Sequence, residues 1–188
     1  LEQGRLALTR LDLDSDKLGI AARGDFDSAS GWASNFDAQL TLPRTDADPL
    51  PLDLTLRGDL SDLTLSARGN VPQPAAIDLR VFGGLAAAQF ELTVVAPQIG
   101  AAYLGLEGEP VAANLRARGT LQQVAIEGDV AQGANAVRIA PSVIGYADGV
   151  AELSPLALEL LSGSVTLQGR VDISDAAPSV GLDLVWRD

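Results

Sequence analysis

The chain has 188 residues, with 13 basic and 25 acidic side chains and a net charge of −12. Because it contains neither His nor Cys, it excludes a Ser-His-Asp triad, a Cys nucleophile, a disulfide and a zinc site of the usual ligands. The acidic balance argues against nucleic acid as a partner, since Lys and Arg supply much of the affinity for phosphates. The length corresponds to about one domain, or to part of a larger one.

Apolar residues recur at every second position along most of the chain. In residues 50–60, Leu alternates with Pro, Asp, Thr and Arg. Such a period of two is typical of strands with one dry and one wet side. Further runs of this kind, in chain order, are residues 63–69, 77–81, 90–94, 111–117, 124–126, 165–167 and 182–186. Short strands at this spacing predict an all-β chain, a meander of roughly a dozen strands.

Turn-forming residues separate many of these runs. Examples are Gly24-Asp25, Gly128-Asp129 and Asp148-Gly149. Two Pro-rich stretches, residues 43–51 and 72–74, are predicted to be loops.

Two stretches allow either helix or strand. Within residues 151–161, Leu153, Leu156 and Leu160 have helical spacing, but apolar residues also alternate through the second half of this stretch. Pro155 would interrupt a helix, so we favour a strand with a bulge or an edge at the proline. The secondary structure of residues 85–88 is left undecided, because their alanines favour helix but the run is too short to show a period.

A weak internal repeat accompanies the strand pattern. Residues 54–65 align with residues 115–126, which pairs Gly58 with Gly119. Two explanations stay open: true repetition of a structural unit, and independent use of the same hairpin chemistry.

Acidic residues supply no convincing chemical site. Residues 12–16 resemble the start of a calcium loop, but Lys17 stands where Gly is needed and Arg23 where a bidentate Glu is needed. A solvated turn is therefore predicted there. Asp46 and Asp48 lie in a polar, Pro-rich stretch where solvated carboxylates are the default. We expect no enzyme activity, no metal and no cofactor.

The leucines are the most distinctive feature of the composition. Leu contributes 30 residues, whereas aromatic residues are only 4% of the chain. One interpretation is an ordinary core, which periodicity alone favours because apolar residues inside a protein need no ligand. The other is a sheet folded over itself with its apolar side inward, leaving an apolar channel.

Three segments, residues 115–121, 124–130 and above all 151–171, resemble the AsmA-like family of envelope proteins, in particular the C-terminal region of the TamB group. The last segment matches that family's recurring pattern of Leu, Pro and Gly. The matching positions are Leu153, Pro155, Leu156, Leu158, Gly163, Leu167 and Gly169.

The resemblance implies a β-taco, a long antiparallel sheet folded lengthwise around an apolar groove. Residues 1–188 would then be a single β-rich fragment of a longer protein. Absence of Met, even at position 1, is consistent with an excised or processed piece. The longer protein would be anchored in the inner membrane of a diderm bacterium and cross the periplasm. It would move phospholipids between membranes, support outer-membrane assembly and, at full length, contact the outer-membrane barrel protein TamA.

From parity and resemblance together we expect a set of apolar side chains to line the groove and contact phospholipid acyl chains. They are Leu52, Leu54, Leu56, Leu63, Leu65, Ile77, Leu79, Leu115, Ile126, Leu158, Leu160, Leu167 and Leu182. Two alternatives stay open: a chaperone-like scaffold that receives unfolded outer-membrane strands, and an extracellular β-repeat module with no cargo.

Overall fold

The computed structural model describes residues 4–15, 19–42, 50–70, 73–84, 86–104, 106–160, 163–172 and 179–187. These residues form one sheet of 13 antiparallel strands, paired in the order of the chain. The strands are β1 Arg5–Asp14, β2 Gly19–Asp27, β3 Ala33–Leu42, β4 Leu50–Gly58, β5 Asp62–Asn70, β6 Pro74–Phe82, β7 Gln89–Ile99, β8 Val111–Thr120, β9 Gln123–Gln132, β10 Asn135–Ala147, β11 Val150–Leu160, β12 Gly163–Asp172 and β13 Ser179–Arg187. The predicted all-β class and long antiparallel sheet are confirmed.

The sheet is open and uncurled. Extensive contacts join only consecutive strands, so β1 and β13 stand at opposite ends of the described sheet. The only helical element in the described ranges is a single 3-10 turn, Ala101–Leu104, and no described helix is long and apolar enough to cross a bilayer. Folding of the sheet lengthwise around a groove stays a prediction.

The pairing register separates apolar from polar side chains. Leu56 of β4 lies opposite Leu65 of β5, and Leu65 lies opposite Leu79 of β6. Because directly opposite residues project to the same side of a sheet, these leucines share one face. Their sequence neighbours, such as Thr55 and Arg57, project to the other face.

Bulges keep apolar and polar side chains on separate faces where the alternation in the sequence shifts by one residue. The strand predicted for residues 151–161 is confirmed as β11, with a register shift between Leu153 and Leu156 at the predicted proline. A spacing of three would place these two leucines on opposite faces of a regular strand. The extra residue in the bulge returns Leu156, and with it Leu158 and Leu160, to the face of Leu153.

Two predicted turns are wrong. Gly24-Asp25 lies inside β2 and Gly128-Asp129 inside β9. Each glycine occupies the apolar side of the sheet opposite a large residue, Phe36 or Leu115. That residue and the carbonyl oxygen of the one before it fill the space that a Cβ would need. Asp148-Gly149 is confirmed as a two-residue turn between β10 and β11, with positive φ at both positions.

The loop prediction for the Pro-rich stretches is wrong at their C-terminal ends. Pro51 belongs to β4 and Pro74 begins β6. Pro51 pairs with Thr41 of β3 but lies before the first β4–β5 pair, at Leu52, and a proline is tolerated near the end of a strand. Residues 43–49, which include Asp46 and Asp48, lie outside the described residues, as do residues 71 and 72.

Two smaller predictions concern residues 12–16 and residues 85–88. Asp12 and Asp14 belong to β1 rather than to a turn, because they alternate with apolar residues that the sheet keeps on its other side. Asp16 lies outside the described residues. Residues 86–88 form no helix, and residue 85 lies outside the described residues.

Candidate functional site: the apolar face

One side of the sheet is lined almost throughout by apolar residues, and we call this side the apolar face. It is defined by the residues that the register places on the same side as Leu56. The apolar face includes all the predicted groove residues: Leu52, Leu54, Leu56, Leu63, Leu65, Ile77, Leu79, Leu115, Ile126, Leu158, Leu160, Leu167 and Leu182. The structure therefore brings them onto one continuous surface, and their contact with lipid stays a prediction.

The apolar face also contains residues outside the set predicted to line the groove. In β1 a register shift between Leu8 and Leu11 keeps both on this face, although their spacing of three hides the alternation. Trp186 of β13 lies opposite Val165 on the same face. The sequence does show leucines alternating with polar residues both before and after the point where the alternation shifts by one residue, and this recurrence could have identified Leu8 and Leu11.

No second layer of the described chain covers this surface. Among the described residues no large hydrophobic side chain is fully buried, and Ile77, Leu182 and Trp186 are 47%, 47% and 55% exposed. With strands about 4.8 Å apart and about 30 Å long, the face measures roughly 58 by 30 Å. That is several times the largest apolar patch of about 300–600 Å² on an ordinary monomer, so the face is expected to be covered in use.

Comparison with known proteins adds no assignment. No family model, curated protein or solved structure matches the chain.

The opposite side of the sheet, which we call the polar face, is stabilised by ion pairs between neighbouring strands. Asp78 of β6 accepts hydrogen bonds from Ser66 and from Arg68, at 2.6 and 2.7 Å. Asp62 of β5 accepts two hydrogen bonds from Arg80. Further pairs are Arg5–Asp25, Arg23–Asp37, Arg57–Asp37 and Arg138–Glu159. Solvent-exposed pairs of this kind mark the face that meets water.

The polar face has a shallow depression of about 570 Å³ over β7–β10. Arg116 and Arg118 line it, and the register places Glu127 and Glu91 directly opposite them. The opposite charges balance one another, so the depression does not form a site for a ligand of one sign. No group of three or more possible metal ligands occurs within the described residues.

Acid is expected to weaken the polar face. The Ser66 hydroxyl and the Arg68 guanidinium hold the pKa of Asp78 below its usual value of 3.8. A carboxyl whose pKa falls on folding stabilises the protein above its unfolded pKa, and this stabilisation is lost as pH falls through the lowered value. Asp78→Asn should therefore lower the thermal midpoint at neutral pH, and this difference should shrink as the pH falls below 3.8.

Circular dichroism melts at neutral pH and in strong acid measure this effect. Asp183→Asn is the control, because Asp183 pairs in the β12–β13 ladder through its backbone, whereas its side chain forms no hydrogen bond or ion pair with the described residues. A midpoint difference for Asp78→Asn that stays undiminished in strong acid would contradict the electrostatic explanation.

Proposed function

We propose that the apolar face shields phospholipid acyl chains in transit between the inner and outer membranes of a diderm bacterium. The chain would be a periplasmic segment of an inner-membrane-anchored protein of the TamB type, which also supports outer-membrane assembly. The observation that carries this proposal is the apolar face itself, which extends from β1 to β13 of a single-layer sheet and has no covering layer in the described residues.

Acyl chains match this surface in both chemistry and shape. Exposing a chain to water costs about 0.8 kcal/mol per CH₂, so a long apolar surface can hold it without any hydrogen bonds. The apolar side chains recur from β1 to β13, so an acyl chain could contact apolar residues along the whole sheet. The net charge of −12 disfavours adsorption to an anionic membrane surface, which suits a conduit away from it.

The proposed transport form is the lengthwise fold implied by the family resemblance. Bending the sheet toward its apolar face would bring the two rims of hairpin turns together and enclose the cargo. The ion pairs of the polar face would then lie outside, in water. In the same proposal, TamA receives the distal end of the full-length protein at the outer membrane.

Site-specific photocrosslinking in cells tests the proposal. A photoreactive residue at Leu115 should capture phospholipid, because the side chain projects to the apolar face. The same residue at Arg116, which projects to the polar face, should capture far less. Positions Leu56 and Thr55 form a second matched pair on β4. Equal lipid capture from both faces, or none from either, would contradict the proposal.

A second candidate function is a chaperone-like scaffold for unfolded outer-membrane strands. The same apolar face favours it, because a strand with one apolar side could pack on that surface as well as an acyl chain could. Capture of polypeptide rather than lipid at Leu115 would favour this function.

A further inference from the structure

Several buried residues cluster at one corner of the apolar face. Ala96 of β7 and Val111 of β8 lie on this face, and they are only 2% and 5% exposed. Ala101, in the connection between these strands, is 5% exposed. Three of the few buried residues in the described chain thus lie near the end of β7, at the start of β8 and in the connection between them.

Gln132 fixes the connection to the apolar side. The register places it opposite Val111, at the end of β9. Its side-chain amide donates to the carbonyl oxygens of Glu107 and Glu109, both at 3.0 Å. Within the connection, the N–H of Leu106 donates to the Ala101 carbonyl oxygen at 3.0 Å and closes a turn. The Gln132 bonds therefore hold the connection to β9, and the Leu106 bond fixes its internal shape.

We propose that the described residues of this connection, 101–104 and 106–110, are a strap that occupies a segment of the apolar face and is displaced by an arriving acyl chain. The inference rests on the proposed function, since it names an intramolecular competitor for the same cargo. The strap shields Ala96 and Val111 when no cargo is bound. Gln132 holds the strap in place, because the hydrogen bonds it donates join the strap to β9.

A single engineered thiol reports the position of the strap, because the chain contains no Cys. Ala101→Cys should react slowly with a water-soluble maleimide, whereas Ala102→Cys should react rapidly, since residue 102 is exposed. Adding Gln132→Ala to Ala101→Cys should raise its labelling rate about tenfold, the effect of losing roughly one net hydrogen bond. Gln123→Ala, at the polar-facing start of β9, is the control and should leave the rate unchanged.

Phospholipid with brominated acyl chains supplies the second arm. Bromine quenches the fluorescence of Trp32 and Trp186, so quenching reports lipid on the sheet. Lipid that quenches should also speed the labelling of Ala101→Cys, while the labelling of Ala102→Cys stays constant.

Each outcome decides a separate point. Rapid labelling of Ala101→Cys without lipid, or no acceleration by Gln132→Ala, would overturn the strap. Quenching without acceleration would show that lipid binds and the strap stays in place, which overturns displacement alone. If no quenching occurs, the proposed lipid function fails and displacement by lipid fails with it, whereas the Gln132→Ala result still decides whether the strap is held as described.

Discussion

Replacing Gly58 with alanine is expected to lower the free energy of unfolding by about 3 kcal/mol, because it combines backbone strain with a steric clash. Gly58 has a φ of 112°, a value that side chains other than glycine rarely tolerate. A Cβ there would lie 1.9 Å from the carbonyl oxygen of Asp62. That oxygen accepts the N–H of Asp59, so it cannot move without opening the β4–β5 turn.

Gly119 should respond in the same way, since its φ is 157° and its Cβ would lie 1.9 Å from the carbonyl oxygen of Gln123. Gly181→Ala is the matched control, because nothing lies within 4 Å of its Cβ and its φ is not positive. Urea unfolding followed by circular dichroism measures all three variants. Similar stability losses for Gly58→Ala and Gly181→Ala would contradict the backbone explanation.

Leu115→Arg is expected to weaken phospholipid binding about a hundredfold, because a cationic side chain on a lipid-facing strand costs roughly 2–4 kcal/mol. Leu115 lies in the middle of β8, opposite Val94 and Gly128 on the apolar face. Quenching of tryptophan fluorescence by brominated-acyl phospholipid measures the affinity.

The sheet should tolerate this substitution, because Leu115 is only half-buried and its long replacement can reach water. An unchanged circular dichroism spectrum and thermal midpoint are therefore part of the expected result. Arg116→Glu reverses a charge one residue away on the polar face and should leave lipid quenching unchanged. Equal loss of quenching in both variants would show that the face of the sheet does not matter for binding.

The matching positions of Gly58 and Gly119 bear on the internal repeat. The alignment of residues 54–65 with 115–126 pairs these glycines, and both lie at the end of a strand before a short turn. Each allows the carbonyl oxygen four residues later to approach the backbone. The shared geometry accounts for the similarity in physical terms, and it is compatible with both explanations of the repeat.

The sequence by itself determined the strands of the centre and the composition of their two sides. Leu52, Leu54 and Leu56 alternate with polar residues, and alternate side chains of any strand project to opposite sides. A slip of one residue in the pairing would turn these leucines toward the polar face, so their alternation fixes which side of each strand is apolar. The class of the fold and all the predicted members of the apolar face follow from this rule.

Only the tertiary structure decided where the period is interrupted. A spacing of three, as between Leu153 and Leu156, fits a helical period or a bulged strand equally well until a neighbouring strand supplies the pairing. Gly24 read as part of a turn because the sequence does not show that Phe36 lies across from it. The sequence could not predict the strap either, because it does not show which distant residues meet. Gln132 and Glu107 are 25 residues apart, and the hydrogen bond between them exists only because β8 and β9 bring both residues to one corner.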